Sequence, residues 1–137
     1  MFGIKKKRRK LHSHIDTLIG PNTQIEGNIN FSGGLRVDGH ICGNIIASGD
    51  THSTLVLSEQ GNIEGKIQVS NVVINGTVSG PIYADEYLEL QAKAKVFGDV
   101  YYGSMEIQLG ASVEGKMIRM DSIQSDKLVT LIPAAPD

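Results

Sequence analysis

Between residues 25 and 117 aliphatic positions alternate with polar or small ones, as in Leu35, Val37, Gly39, Ile41, Gly43, Ile45, Ala47, and again in Leu88, Leu90, Ala92, Ala94, Val96, Gly98, Val100. A period of two is strand geometry, with successive side chains on opposite faces. A five-residue unit punctuates the alternation: an aliphatic residue, any residue, Gly, any residue, then an aliphatic residue or Met. It reads I-E-G-N-I at 25–29, I-C-G-N-I at 41–45, I-E-G-K-I at 63–67, V-S-G-P-I at 78–82, V-F-G-D-V at 96–100 and V-E-G-K-M at 113–117. The glycines of these units are 16, 22, 15, 18 and 17 residues apart. A second small residue stands four positions before five of them, at Gly39, Gly61, Gly76, Ala94 and Ala111.

A strand-period repeat of about 17 to 18 residues is too short for a four-stranded propeller blade and lacks the helical half of a leucine-rich repeat. It fits one coil of a parallel β-helix, in which three short strands meet at corners and the inward stripe fills a narrow dry core. The chain is therefore predicted to be all-β, a single-stranded parallel β-helix of about six coils over residues 19–120. Tails without regular structure are predicted at 1–18 and 121–137. The inward phase slips after Ala47, Val69 and Tyr102, which predicts corners or loops there. The longest spacing holds A-S-G-D-T-H-S at 47–53, a predicted surface loop.

Composition agrees with a slim coil: 16 glycines, and aromatics at only 5%. No run of 18 apolar residues occurs, so no spanning helix is expected. A lone cysteine, Cys42, excludes an internal disulfide and suits a reducing compartment; the alternation points it outward as an ordinary surface thiol. Charge is uneven. Residues 1–10 carry six of the 13 basic residues and no acid, while all 15 acidic residues lie in the remainder. A secretory signal needs an apolar run after its basic start, and L-H-S-H-I-D-T follows here, so export is not expected.

A basic end of this kind can bind nucleic acid, lie on an anionic membrane, or remain a solvated tail. Met1, Phe2 and Ile4 precede Lys5, Lys6, Lys7, Arg8, Arg9 and Lys10, an order that lets apolar side chains enter lipid while the cations meet headgroups. No aromatic is interleaved among the charges to stack on bases, which disfavours nucleic acid as a partner. The membrane reading is preferred.

Three stretches together resemble the bactofilins, bacterial cytoskeletal proteins that form filaments: T-L-I-G-P-N-T-Q-I-E-G-N-I at 17–29, L-R-V-D-G-H-I-C-G-N-I at 35–45 and V-V-I-N-G-T-V-S-G-P-I at 72–82. The resemblance covers roughly residues 17–118. It implies a right-handed β-helix, polymerisation without nucleotide or other cofactor, and like-to-like pairing of ends that makes the filament non-polar. It further implies a cytoplasmic location at the inner face of the cytoplasmic membrane, bound through the residues from Met1 to Lys10 named above. Roles in cell shape or in positioning peptidoglycan-modifying enzymes belong to the same expectation.

Filament formation also has a reason in the residues. A stacked coil ends in two faces with unpaired strand edges and apolar side chains, and soluble solenoids normally cover these with a polar cap. No amphipathic helix flanks the repeats. The expected junction residues are Ile25, Ile29 and Phe31 at the N-terminal face, with Val113, Met117, Ile118 and Met120 at the C-terminal one. The alternative is that L-V-T-L-I-P at 128–133 folds back as a cap. Aligning the units on their glycines also gives an outward column, Asn30, Ile46, Gln68, Tyr83, Tyr101, Ile118. Its last three members are a candidate lateral contact, unless they simply stack across rungs or lie under the C-terminal segment.

Other chemistry is weaker. G-A-S-V-E-G-K at 110–116 has phosphate-loop spacing, but Met117 replaces the magnesium-holding Ser or Thr and no helix follows. His12 and His14 offer at most weak adventitious metal binding. The main rival is an enzyme of the left-handed β-helix type, an acyltransferase or a carbonic anhydrase, with His40 or His52 as base or zinc ligand. The hexapeptide rhythm of such enzymes is absent, and no acid or nucleophile is expected near His40. A monomeric binding module is the remaining alternative. No catalytic residue, metal or cofactor is assigned.

Overall fold

The computed structural model describes residues 14–48 and 52–120, and within them sixteen short strands wind into six coils. The first coil holds β1 (Thr17–Ile19), β2 (Gln24–Glu26) and β3 (Ile29–Phe31); the second holds β4 (Gly34–Val37), β5 (His40–Cys42) and β6 (Ile45–Ala47). The third holds β7 (Thr54–Leu57), β8 (Asn62–Glu64) and β9 (Ile67–Gln68). The fourth is β10 (Asn71–Ile74), β11 (Thr77–Ser79) and the first half of β12 (Ile82–Leu90), whose second half opens the fifth coil before β13 (Lys95–Phe97). Likewise β14 (Val100–Ile107) closes the fifth coil and opens the sixth, which ends in β15 (Ser112–Glu114) and β16 (Met117–Arg119).

Every strand pairs in parallel with its counterpart one coil away, so the solenoid has three faces. One is the six-stranded sheet β2-β5-β8-β11-β13-β15; the other two join because β12 and β14 run through the corner between them. At that corner the pairing of β12 with β14 shifts register between Ala84 and Tyr87. The slip read after Tyr102 is this bend. The matching bend in β12 left no trace in the sequence, because one extra residue there keeps Ala84 and Leu88 an even number apart and preserves the alternation.

The inward stripe is fully shielded in the middle coils. Val37, Ile41, Ile45, Leu57, Ile63, Ile67, Ile74, Val78, Ile82, Leu90, Val96 and Val100 are all 0% exposed. Each such side chain contributes about 1.5–3 kcal/mol on burial, so the aliphatic column dominates stability. The corner glycines exist for the opposite reason, to keep a space empty. Gly65 sits at φ 149° with its α-carbon against the Gly43 carbonyl of the preceding coil, where a side chain would overlap that oxygen. The next residue closes the corner by hydrogen bonding to the following rung. Asn28 Oδ1 accepts from the Asn44 amide, Asn44 Oδ1 from the Lys66 amide and Asp99 Oδ1 from the Lys116 amide, each at 2.9 Å.

Two boundaries differ from the sequence reading. Thr17 and Leu18, assigned to the N-terminal tail, form β1 together with Ile19, because Leu35, Arg36 and Val37 offer them a complete parallel edge. The expected loop at 47–53 begins with the last residue of β6, and residues 49–51 lie outside the described ones, as do 1–13 and 121–137. Met1 to Lys10, His12 and the 128–133 segment therefore receive no structural account. Among the described residues no helix is long and apolar enough to cross a membrane.

Candidate assembly interface

The two end coils carry the same inward stripe as the middle ones but shield it only in part, Ile19 being buried at 8% exposure. Ile25 and Ile29 occupy the positions of Ile41 and Ile45 one coil on, yet both are half-buried where their partners are 0% exposed. Phe31, in register with Ala47, completes this N-terminal face and is also half-buried. At the other end Val113 lies over Val96, and Met117 lies over Val100 with 42% of its surface open. Two residues that the sequence reading missed belong to the same face. Met105 and Ile107 stack on Leu88 and Leu90, and Ile107 is 47% exposed although its column is otherwise dry. Their signal, alternation across Met105 and Ile107, was hidden by the phase slip after Tyr102.

Two expected junction residues sit elsewhere. Ile118 is in register with Tyr101 on the outer side, because the strand alternation that turns Met117 inward turns Ile118 out. Met120, beyond the end of β16, lines a surface groove with Ala47, Gln68 and Tyr83 instead of the end face.

The outward column runs through the pairings Asn30 with Ile46, Ile46 with Gln68, Gln68 with Tyr83, Tyr83 with Tyr101 and Tyr101 with Ile118. The Tyr83 and Tyr101 rings stack at 4.6 Å between centroids with planes 3° apart. Both rings and Ile118 are half-buried.

The family model for bactofilins, described as polymer-forming cytoskeletal, matches residues 17–118. The chain belongs to the bactofilin family. Two curated bactofilins of Myxococcus xanthus (strain DK1622) are similar to it. BacP is 29% identical over 129 residues, which are 93% of this chain and 52% of BacP; BacO is 31% identical over 102 residues, 74% of this chain and 78% of BacO. This chain thus spans about half the length of BacP. Among solved structures, a cryo-EM reconstruction of Thermus thermophilus bactofilin double helical filaments matches with a TM-score of 0.69 at 24% identity, over 76% of this chain and 99% of that one. The likeness is one of fold. The bactofilin solenoid, with its six parallel coils, is the fold described above.

One cluster on this bactofilin's surface corrects the sequence reading. His40 was expected to have no acid near it, but Glu64 reaches it from the next coil, with Oε2 3.1 Å from His40 Nε2. Cys42 joins them, its Sγ 3.6 Å from the same Nε2 and 3.7 Å from Glu64 Oε1. Partial burial and the neighbouring Glu64 and Glu26 carboxylates push the Cys42 thiol pKa up. Glu64 was legible in principle, since it holds the position before Gly65 that Cys42 holds before Gly43. A second histidine, His52, sits 2.8 Å from Glu86, which also accepts from Asn71 Nδ2 at 3.2 Å, so it ties the start of the third coil to later rungs. The Tyr87 hydroxyl, partly buried between Glu89 and Glu106, is likewise held above its ordinary pKa.

Proposed function

We propose that this chain polymerises end to end through its two terminal coils, without nucleotide, and that the resulting filament is held on an anionic membrane surface by its basic N-terminal segment. The observation that carries the first half is the break in burial along single columns: aliphatic positions at 0% exposure in the middle coils stand partly open at both ends. A further coil laid on either face, at the roughly 4.8 Å spacing of paired strands, extends the ladder and buries that surface. Nothing in such a step consumes an energy source. The polymer-forming description of the family agrees. Like-to-like contact makes each junction two-fold symmetric and the filament non-polar. Roles in cell shape or in positioning peptidoglycan-modifying enzymes are part of the same reading. Negative-stain microscopy of purified protein in plain buffer, with no nucleotide, tests the assembly directly. Filaments are expected, and a monodisperse small species at high concentration refutes it.

The membrane half rests on residue order. Met1, Phe2 and Ile4 stand ahead of Lys5, Lys6, Lys7, Arg8, Arg9 and Lys10, and each cation near an anionic leaflet contributes on the order of 1 kcal/mol. One segment binds weakly, but a filament displays one per subunit, so attachment and polymerisation reinforce each other by avidity. Changing all six cations to Gln is expected to leave polymerisation in solution intact while co-sedimentation with anionic liposomes is lost. Unchanged co-sedimentation removes the lipid role.

The stacked Tyr83 and Tyr101 rings, continued by Ile118, supply a lateral contact between filaments or strands. The Thermus thermophilus bactofilin filaments are double helical, an arrangement that would use a lateral contact of this kind. The double variant Tyr83→Asp with Tyr101→Asp is expected to give single filaments in micrographs where the parent gives bundles or paired strands. Persistent pairing in the variant rules the column out.

A further inference from the structure

We propose that His40, Cys42 and Glu64 form a binding site for a borderline-soft divalent cation, zinc being the natural occupant, on the outer face of the six-stranded sheet. Strand alternation builds it. Ile41 turns inward and is 0% exposed, so its neighbours His40 and Cys42 both turn outward on the same side of β5. Glu64 is the register partner of Cys42 on β8, one coil away, and likewise faces out beside a buried Ile63. The donor atoms of the three residues all lie within 4.8 Å of one another.

The distances select a metal over a catalytic relay. Metal–ligand bonds of about 2.0–2.1 Å to nitrogen or oxygen and about 2.3 Å to sulfur, at tetrahedral angles, put an N and an O ligand about 3.3 Å apart and a sulfur about 3.6 Å from either. The observed separations are 3.1 Å for His40 Nε2 to Glu64 Oε2, 3.6 Å for Cys42 Sγ to Nε2 and 3.7 Å for Sγ to Glu64 Oε1. The nitrogen–sulfur and nitrogen–oxygen edges already stand near ligand spacing, while the sulfur contact is to the other carboxylate oxygen; one donor atom from each residue lies within 4.8 Å of the others, so a turn of the exposed carboxylate completes the triangle. A nucleophile, histidine and acid relay needs the acid on one ring nitrogen and the nucleophile on the other. Here both partners face Nε2, so the three side chains converge on one point.

The donor set names the ion. Thiolate, imidazole and carboxylate together suit zinc and its neighbours and disfavour calcium and magnesium, which want oxygen alone. Binding replaces the protons between the donors: the thiol proton leaves to solvent and the imidazole proton resides on Nδ1. Glu26, the register partner of Cys42 on the other side, adds negative charge one rung away, and water or this carboxylate completes the coordination. The His40 and Glu64 side chains are 38% and 52% exposed, so the site is open to solvent and stitches the second coil to the third without enclosing a substrate. A cation held by the folded chain alone raises its stability by mass action.

Titrating the full chain with cobalt(II) in a thiol-free reductant tests this, because a thiolate–cobalt bond gives a near-ultraviolet charge-transfer band that carboxylates and histidines do not. The band should saturate at a single ion per chain and be bleached by zinc, and zinc should raise the melting temperature. Cys42→Ser should lose the band and the zinc-dependent stabilisation while circular dichroism shows the coil intact. Removing an outer-sphere partner costs metal sites about 10–100-fold in affinity, so His40→Gln and Glu64→Gln should weaken binding at least as much. The variant His12→Ala with His14→Ala should bind as the parent does. No band in the parent, a band that survives Cys42→Ser, affinities unchanged by His40→Gln and Glu64→Gln, or binding lost with the tail histidines each overturns the site.

Discussion

Val113→Arg should convert filaments into soluble single subunits or dimers. Val113 lies over Val96 on the last complete rung and is half-buried, so an arginine placed there in the free subunit can run its stem along the face and keep its head in water. Covering that face with another coil encloses the guanidinium without a partner. An uncompensated buried charge costs roughly 3 kcal/mol or more, which lowers the association constant of that junction about 100-fold or beyond. The product reports polarity as well. If like ends pair, the N-terminal junction built on Ile25, Ile29 and Phe31 survives and dimers remain; if ends join head to tail, single subunits result. Sedimentation velocity separates these outcomes, and long filaments from the variant would falsify the end-coil reading.

The second large effect concerns the coil itself. Gly65→Ala should lower stability by about 3 kcal/mol or more, from a backbone held at φ 149° and a methyl group driven into the Gly43 carbonyl. The rungs cannot simply move apart, because the Gly43 amide donates to Glu64 O and the Gly65 amide to Ser79 O, each at 2.9 Å, and these bonds set the spacing. In a solenoid each coil is stabilised by its neighbours alone, so a wedge between the second and third coils uncouples the two parts of the stack. For a domain of this size the loss corresponds to a drop of roughly 10 °C or more in melting temperature. Gly27→Ala is the control. Gly27 has φ 139° but nothing within 4 Å of an added methyl group, since no coil precedes it among the described residues, so in the subunit only the backbone cost applies. A Gly65→Ala chain that melts within a few degrees of the parent would show that the corner column tolerates a side chain.

Much of this was legible because a solenoid is nearly one-dimensional. Alternation identified which residues of 35–47 and 88–100 turn inward, and the repeated glycine unit identified the rungs, so the columns Ile25–Ile41–Ile63 and Tyr83–Tyr101–Ile118 followed by alignment. Bends were harder to see. A corner that costs an odd number of residues shifts the phase and is visible, as at Tyr102, whereas one that costs an even number is silent, as at Ala84. That silence, together with the slip after Tyr102, concealed Met105 and Ile107 on the C-terminal face. Met120 was misplaced for another reason: beyond β16 no repeat dictates where the chain goes.

The sequence by itself determined the class of fold, the number of coils, the inward and outward stripes and the opposite charges of the first ten residues and the rest, because each follows from local periodicity or from counting. Only the tertiary structure decided which side chains of neighbouring coils come within bonding distance. Aligning the glycines puts Cys42 and Glu64 in one column, but that the Glu64 carboxylate and the Cys42 thiol both close on His40 Nε2 depends on side-chain conformations that no repeat dictates. It also decided that the end coils leave their stripe partly open, since exposure depends on whether another rung lies above and not on the residue itself.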